Sequence, residues 1–297
     1  MRELSVVVTC TERKISPVTP SLQVHTLPDV AIDQRVAIWN ERLAQASGQT
    51  SLSNLYKGEQ WAQSRALTGA AARAGWTPKL WVASAGLGLQ PVSEQAPPYG
   101  ATFSSGHVDS VASTNADRRI WWDHLQRRRG AANLRELGEQ GPVLLVLSES
   151  YSRILQAELR ELGRLGGDVL LLGGDREVPG IHRVPSNRAL RHALGGTLTS
   201  LNARMAISWV GHCSPGGPLT APDTVAAWGK WAAESEKQET YDRRPMTDEE
   251  VRAFILTAVR ANPNCSKTKL LRLLREEGMA CEQKRFATLY VETMGDG

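Results

Sequence analysis

Long apolar runs are absent from this chain of 297 residues. No stretch approaches the roughly eighteen apolar residues of a membrane-spanning helix, so no membrane association is expected. The first ten residues, MRELSVVVTC, enter a strand-like run directly, without the basic start, apolar core and cleavage site of a secretory signal. Cysteine is sparse. Cys10, Cys213, Cys265 and Cys281 stand apart with no CxxC pair, which argues against a disulfide framework or a zinc site and fits a reducing cytoplasm. Familiar catalytic signatures are missing too. Ser84-Ala-Gly-Leu-Gly88 is glycine-rich but is not GxGxxG, so neither NAD nor FAD is expected. There is no HxE…CxxC of a zinc deaminase, no GxSxG and no HExxH. The expectation is a protein working without metal or organic cofactor.

Hydrophobic residues make up 41% of the chain and charged residues 22%, the balance of a folded soluble protein. The net charge of +4 permits a polyanionic partner without requiring one. Short β-branched runs alternate with amphipathic stretches. Leu4–Cys10, Leu80–Ala85, Val143–Ser148 and Asp168–Gly174 read as strands. Val36–Ala46, Glu59–Ala74, Asn115–Arg128, Ser152–Leu162 and Leu198–Val210 read as helices, and core packing is the default role of the nine tryptophans. This alternation predicts an α/β fold, an open and mainly parallel sheet with helices on both faces. Residues 1–210 form the expected catalytic domain. Residues 211–244, with Gly/Pro-rich HCSPGGPLTAP and charged ESEKQETYDRRP, read as a connector.

Residues 245–297 read as a helical module of helix-turn-helix type. Thr247 and Glu250 have capping-box spacing, Asn262-Pro263-Asn264 stops the first helix, Ser266 can cap the second and Gly278 ends it. Lys267 and Lys269 on one helix, and Lys284 and Arg285 on the next, are candidates for phosphate contact. Glu276, Glu277 and Glu282 weigh against that role, and a packing module with solvated charges is the plain alternative.

Chemistry is expected at the carboxyl edge of the sheet, where open α/β sheets bind ligands. Leu80–Val111 runs from a strand into a long polar loop that holds Ser84, Glu94, Tyr99, His107 and Asp109. Tyr99, after the stiffening Pro97-Pro98, can stack on a base or donate a hydrogen bond, or simply pack. Asp109 can orient a water or stabilise positive charge on a sugar, or simply cap the next helix. Cys10-Thr-Glu-Arg-Lys14 ends the first strand, offering Glu12 as a base and Arg13 and Lys14 to phosphates. Lys57 lies at a turn before a helix. Tyr151 follows the third strand, either lining the pocket or packing. Asn202 and Arg204 suit base or phosphate recognition, or a buried structural pair.

Taken together, CTERK, LYKGEQW, SAGLGL and PPYGATF resemble a bacterial protein group with a Cys-x-x-Arg/Lys-Lys strand end, an LYxG turn and an SAxxGLxxP…PY segment. The peroxide-stress DNA-binding proteins look distantly similar. The C-terminal SKTKLLRLLREEGMACEQKRF is similar to a tail of phage-defence members, which resemble DNA glycosylases that remove α-glucosylated hydroxymethylcytosine from T-even phage DNA. The resemblance spans Val6–Phe103 and the tail. It implies extrusion of a nucleotide from double-stranded phage DNA, with no obligate protein partner. It further implies Asp109 as the carboxylate opposite the sugar, with Glu12 as runner-up. Asn202, Arg204 or Tyr99 would face the departing base, with Ser84, Glu94 and Tyr151 around it. Arg13, Lys14 and Lys57 would hold the flanking phosphates. A lysine nucleophile forming a Schiff base is a second route. Two other classes remain open: a DNA-binding stress protein without catalysis, and a nucleosidase or base-exchange enzyme acting on nucleotide or tRNA.

Overall fold

The computed structural model describes residues 2–129, 132–237, 243–263 and 265–295. Residues 238–242 of the expected linker, and Asn264 of the expected helix stop, lie outside that set. The chain divides into two compact units, 1–237 and 238–297.

The first unit is an α/β layer structure. Its main sheet has six strands: β1 (Arg2–Thr9), β2 (Trp76–Ser84), β3 (Gly88–Pro91), β4 (Val143–Leu147), β5 (Val169–Gly173) and β6 (His182–Val184), in the order β3-β2-β1-β4-β5-β6. All neighbours are parallel except β2 and β3. β1 is central. Ser5 to Val8 pair with Lys79 to Val82 on one side and with Val143 to Val146 on the other. Leu4, Val6, Val7 and Val8 are buried, as a strand covered on both faces requires. The four expected strands are present. β3 and β6 extend the sheet at its two edges; both are short, and neither has the continuous apolar run that marks a buried strand.

Helices Ile32–Gln45, Glu59–Arg73, Asn115–Arg129 and Leu201–His212 cover the sheet. Tryptophans do much of the joining. The Trp39 indole N–H donates to Gly86 O and that of Trp121 to Ala85 O, so two helices grip the turn after β2. The stretch read as a connector belongs, up to Lys237, to the first unit. Its glycines and prolines break regular structure without preventing packing. Leu219 is fully buried, the Leu219 and Thr220 N–H groups donate to Asp168, and Trp228 of helix Pro222–Ser235 packs its ring on Trp209.

The second unit has its own core, built from Val251, Ile255, Leu270, Leu274, Phe286 and Leu289 among others. Helices Asp248–Ala261, Lys267–Glu276 and Gln283–Gly295 carry it. Thr247 and Glu250 form the expected capping box, Ser266 accepts from Lys269 N–H, and Gly278 turns the chain at φ 75°. Among the described residues no helix is long and apolar enough to cross a membrane.

Two separate cores predict two separable unfolding events. Phe286→Ala should remove about 3–5 kcal/mol from the second unit. In calorimetry its transition should fall while that of the first unit stays in place. Equal shifts of both would show one cooperative unit.

Candidate active site

The order β3-β2-β1-β4-β5-β6 reverses direction between β1 and β4, a topological switch point of the kind that binds ligands. A crevice of about 840 Å³ opens there. Thr9, Cys10 and Glu12 from the end of β1 line one side, and Ser148 to Tyr151 from the end of β4 line another. The 100–109 loop and Asn202 complete it.

Asp109 reaches the crevice by a chain of backbone pairings. Gly100 N–H donates to Leu22 O and Val24 N–H to Gly100 O, tying the loop to the 20–26 segment. Thr102 N–H then donates to Asp109 O, and Val111 N–H to Thr102 O. The Asp109 side chain is only 11% exposed, and its Oδ1 accepts from His25 Nδ1 at 2.7 Å and from His25 N–H at 3.3 Å. Oδ2 takes no hydrogen bond among the described residues. It lies against Gly100, where a Cβ would stand 2.7 Å from it. The helix-capping alternative for Asp109 does not hold, because Thr114 Oγ accepts from Asp117 N–H at the start of the next helix.

His107 accepts from Asp109 N–H through Nδ1 at 3.0 Å and meets Glu12 through Nε2 at 3.3 Å. That pattern assigns the ring proton to Nε2 in the neutral imidazole. Glu12 therefore joins Asp109 at the crevice, on an exposed carboxylate. Asn202 arrives from the far side, donating to Leu147 O at 3.3 Å and accepting from Ser186 Oγ. Gly173 (φ 90°) makes this approach feasible, since a Cβ there would lie 2.3 Å from both Asn202 Nδ2 and Leu147 O. The Tyr151 hydroxyl contacts Cys10 Sγ at 3.1 Å and accepts from Ala85 N–H at 3.2 Å. Burial raises the Tyr151 pKa well above the usual phenol value, so it stays protonated. The crevice thus gathers Asp109, Glu12, Asn202 and Tyr151.

Several expected site residues lie elsewhere or do other work. Tyr99 is fully buried and cannot stack on a base; its hydroxyl bonds those of Tyr56, at 2.6 Å, and Ser84. Ser84 is equally buried and also accepts from Gly86 and Leu87 N–H, so it does not face a substrate. Lys14 lines the crevice but is only 7% exposed. Its Nζ donates to Thr11 O at 2.7 Å and Glu12 O at 3.1 Å, which makes it an anchor of its own loop rather than an exposed phosphate contact. Burial pushes its pKa down. Arg204 pairs with Glu59 at 3.0 Å and donates to Leu194 O, the structural alternative. Glu94 sits at the turn after β3, its backbone holding Leu52, and does not line the crevice. Arg13 and Lys57 are exposed neighbours, joined by Lys57 N–H to Arg13 O. In the second unit Arg285 is taken by Asp248 and Met246 O, whereas Lys267, Lys269 and Lys284 are exposed.

His25 was not foreseen. It stands in SLQVHTLPD, a stretch without motif or periodicity, and only the pairing with Gly100 brings it to Asp109. His107 was visible in the long loop, but nothing in the spacing showed that it would hold the Asp109 backbone. Comparison of the chain with family models, with curated proteins and with solved structures finds no match.

The Glu59 cluster behind the crevice gives a pH test. The hydrogen bond from Ser200 Oγ, then those from Thr197 N–H and Arg204, hold the Glu59 pKa at about 2, below its usual 4.5. A depressed carboxylate stabilises the fold above its unfolded pKa and loses that contribution as pH falls through the folded one. Denaturant melts of wild type and Glu59→Gln should differ by a constant amount above pH 4.5, and the gap should close between 4.5 and 2. A gap independent of pH would assign the loss to packing.

Proposed function

We propose that this chain is a DNA glycosylase that extrudes a modified cytosine from duplex DNA and hydrolyses its N-glycosidic bond, leaving an abasic site. The observation that supports this best is Asp109: a carboxylate on the crevice wall with Oδ1 held by His25 and Oδ2 uncommitted. As the C1′–N bond breaks, its electron pair leaves with the base and positive charge develops on the deoxyribose. A fixed carboxylate in a water-poor wall stabilises that charge without reorganising. Water then adds to C1′, releasing one proton toward Asp109, while the base takes up a proton. His25 keeps the carboxylate aimed throughout. Glu12, through His107 and the Asp109 backbone, steadies the same loop.

Room and lining support a decorated base. The crevice of about 840 Å³ is lined by Ser104, Ser105, Ser148, Ser150 and Ser186, whose hydroxyls suit the hydroxyls of a sugar carried on the base. Arg188 lines it too, a cation suited to the departing base or a flanking phosphate, while Arg153 beside it is paired with Asp175 at 3.1 Å. The likeness of CTERK, LYKGEQW, SAGLGL and PPYGATF to a bacterial protein group, and of the C-terminal SKTKLLRLLREEGMACEQKRF to the tail of its phage-defence members, makes glucosylated hydroxymethylcytosine the first substrate to try, and the cytoplasm the place of action.

The test is incubation with glucosylated and unmodified phage DNA, scoring abasic sites by alkaline cleavage. Release from the glucosylated DNA is expected, and no abasic sites on either would overturn the reading. Asp109→Asn should lower the rate by about 10²–10³. Gly100→Ala should lower kcat by about tenfold with KM little changed, because the new Cβ displaces Oδ2. Wild-type rates in Asp109→Asn would remove Asp109 from the chemistry.

A further inference from the structure

We infer that the groove between helix Lys267–Glu276 and the start of helix Gln283–Gly295 seats the sugar–phosphate backbone of duplex DNA. Naming DNA as the partner rests on the functional reading above; the groove itself rests on its own geometry. Its volume is about 710 Å³. Lys267, Arg272 and Arg275 line it against a single lining carboxylate, Glu276, so among these four positive charges exceed negative by two. Lys267, Arg272 and Arg275 recur along one side of the same helix. They span about 12 Å of its axis, enough to meet about two successive phosphates of one strand.

The cations are available where it matters. Lys267 is exposed and makes no ion pair among the described residues. Arg272 meets Glu276 at 3.3 Å, an exposed i,i+4 pair of little strength that a phosphate can displace. Arg275 uses Nη2 on Cys281 O, which fixes the direction of its fork. Leu271 and Phe286 lie beneath it as part of the buried core, so the groove is backed by packed side chains. The neighbouring Arg285, spent on Asp248, is not part of this face. An acidic peptide is the competing occupant. The excess charge spaced at helix turns favours a regular polyanion, whose binding releases counterions for each phosphate neutralised.

The experiment uses the full chain and a fluorescent duplex of about 20 base pairs, long enough to cross the module. Binding is measured by anisotropy from low to physiological salt. The double variant Lys267→Gln/Arg272→Gln should reduce the slope of log affinity against log salt by about 2 and weaken binding about tenfold near 0.15 M. Arg260→Gln removes an exposed cation of helix Asp248–Ala261 outside the groove and should leave both unchanged. Wild-type slope and affinity in the double variant would overturn the groove, as would tight binding of polyglutamate with none of duplex. Base release by the wild-type chain is scored separately. Release with an unaltered slope in the double variant sinks the groove alone; the expected slope change without any release sinks the catalytic reading alone.

Discussion

One buried hydroxyl ties the crevice together. The Tyr99 hydroxyl meets those of Tyr56 and Ser84, and the Lys14 ammonium lies 4.5 Å from the Tyr99 ring centre and 5.1 Å from that of Tyr56. Four segments distant in sequence converge there: the end of β1, the turn before helix Glu59–Arg73, the turn after β2, and the loop that follows. Burial raises the pKa of both phenols, so they keep their protons and can donate. Removing the Tyr99 hydroxyl would leave that of Tyr56 buried without its partner, at a cost of about 1–3 kcal/mol. Lys14 adds cation–π attraction of about 2 kcal/mol where water is excluded. Gly86 completes the fit, since a Cβ there would fall 2.6 Å from the Tyr99 ring.

The reactive side of the crevice follows from that anchor. Tyr99 points inward, and the next residue, Gly100, pairs with the 22–24 backbone and carries it beneath Asp109. His25 comes with that backbone, and its ring meets the carboxylate. A second clamp holds the far end of the same loop. The buried Arg118 guanidinium donates to Ala112 O, Ser105, Ser110 and Asn115, on both sides of Asp109. The carboxylate is therefore fixed from before, behind and beyond. A site that stabilises transient charge needs this, because reorganisation during the reaction would cost part of the stabilisation.

The sequence made the periodic parts legible. β-branched runs mark the inner strands, and the strand-end rule points to the edge where the crevice lies. It also brought Asp109, Glu12 and Tyr151 to one edge, whereas Asn202, read on a late helix, joins them only through the tertiary fold. Loop side chains were less legible, because extended segments alternate inward and outward and the phase is set by partners far away. Tyr99 was expected to face a base and faces the core. Arg204 and Arg285 were read as candidates for base or phosphate contact, the former with a buried pair as its alternative, and Glu59 and Asp248 claim them through tertiary contacts that no local pattern reveals. The Gly/Pro-rich stretch after Gly211 looked like a linker, but turn residues do not show whether a turn packs. Leu219 is buried there among them.

These placements change what the sequence resemblance means. Lys14 belongs to CTERK, Tyr56 to LYKGEQW, Ser84 and Gly86 to SAGLGL, and Tyr99 to PPYGATF. Each of those motifs thus contributes a member to the buried cluster. Asp109 and His25 lie in none of them. The motifs therefore describe how four segments are fastened at a switch point, a demand of packing that many chemistries could share. Specific chemistry enters through the residues that this fastening presents. A polar crevice with one committed and one uncommitted carboxylate oxygen is what the proposed charge stabilisation on a sugar draws on. In the proposed glycosidic cleavage Asp109 and its two histidines carry the chemistry, and the buried cluster around Tyr99 is the frame that holds them.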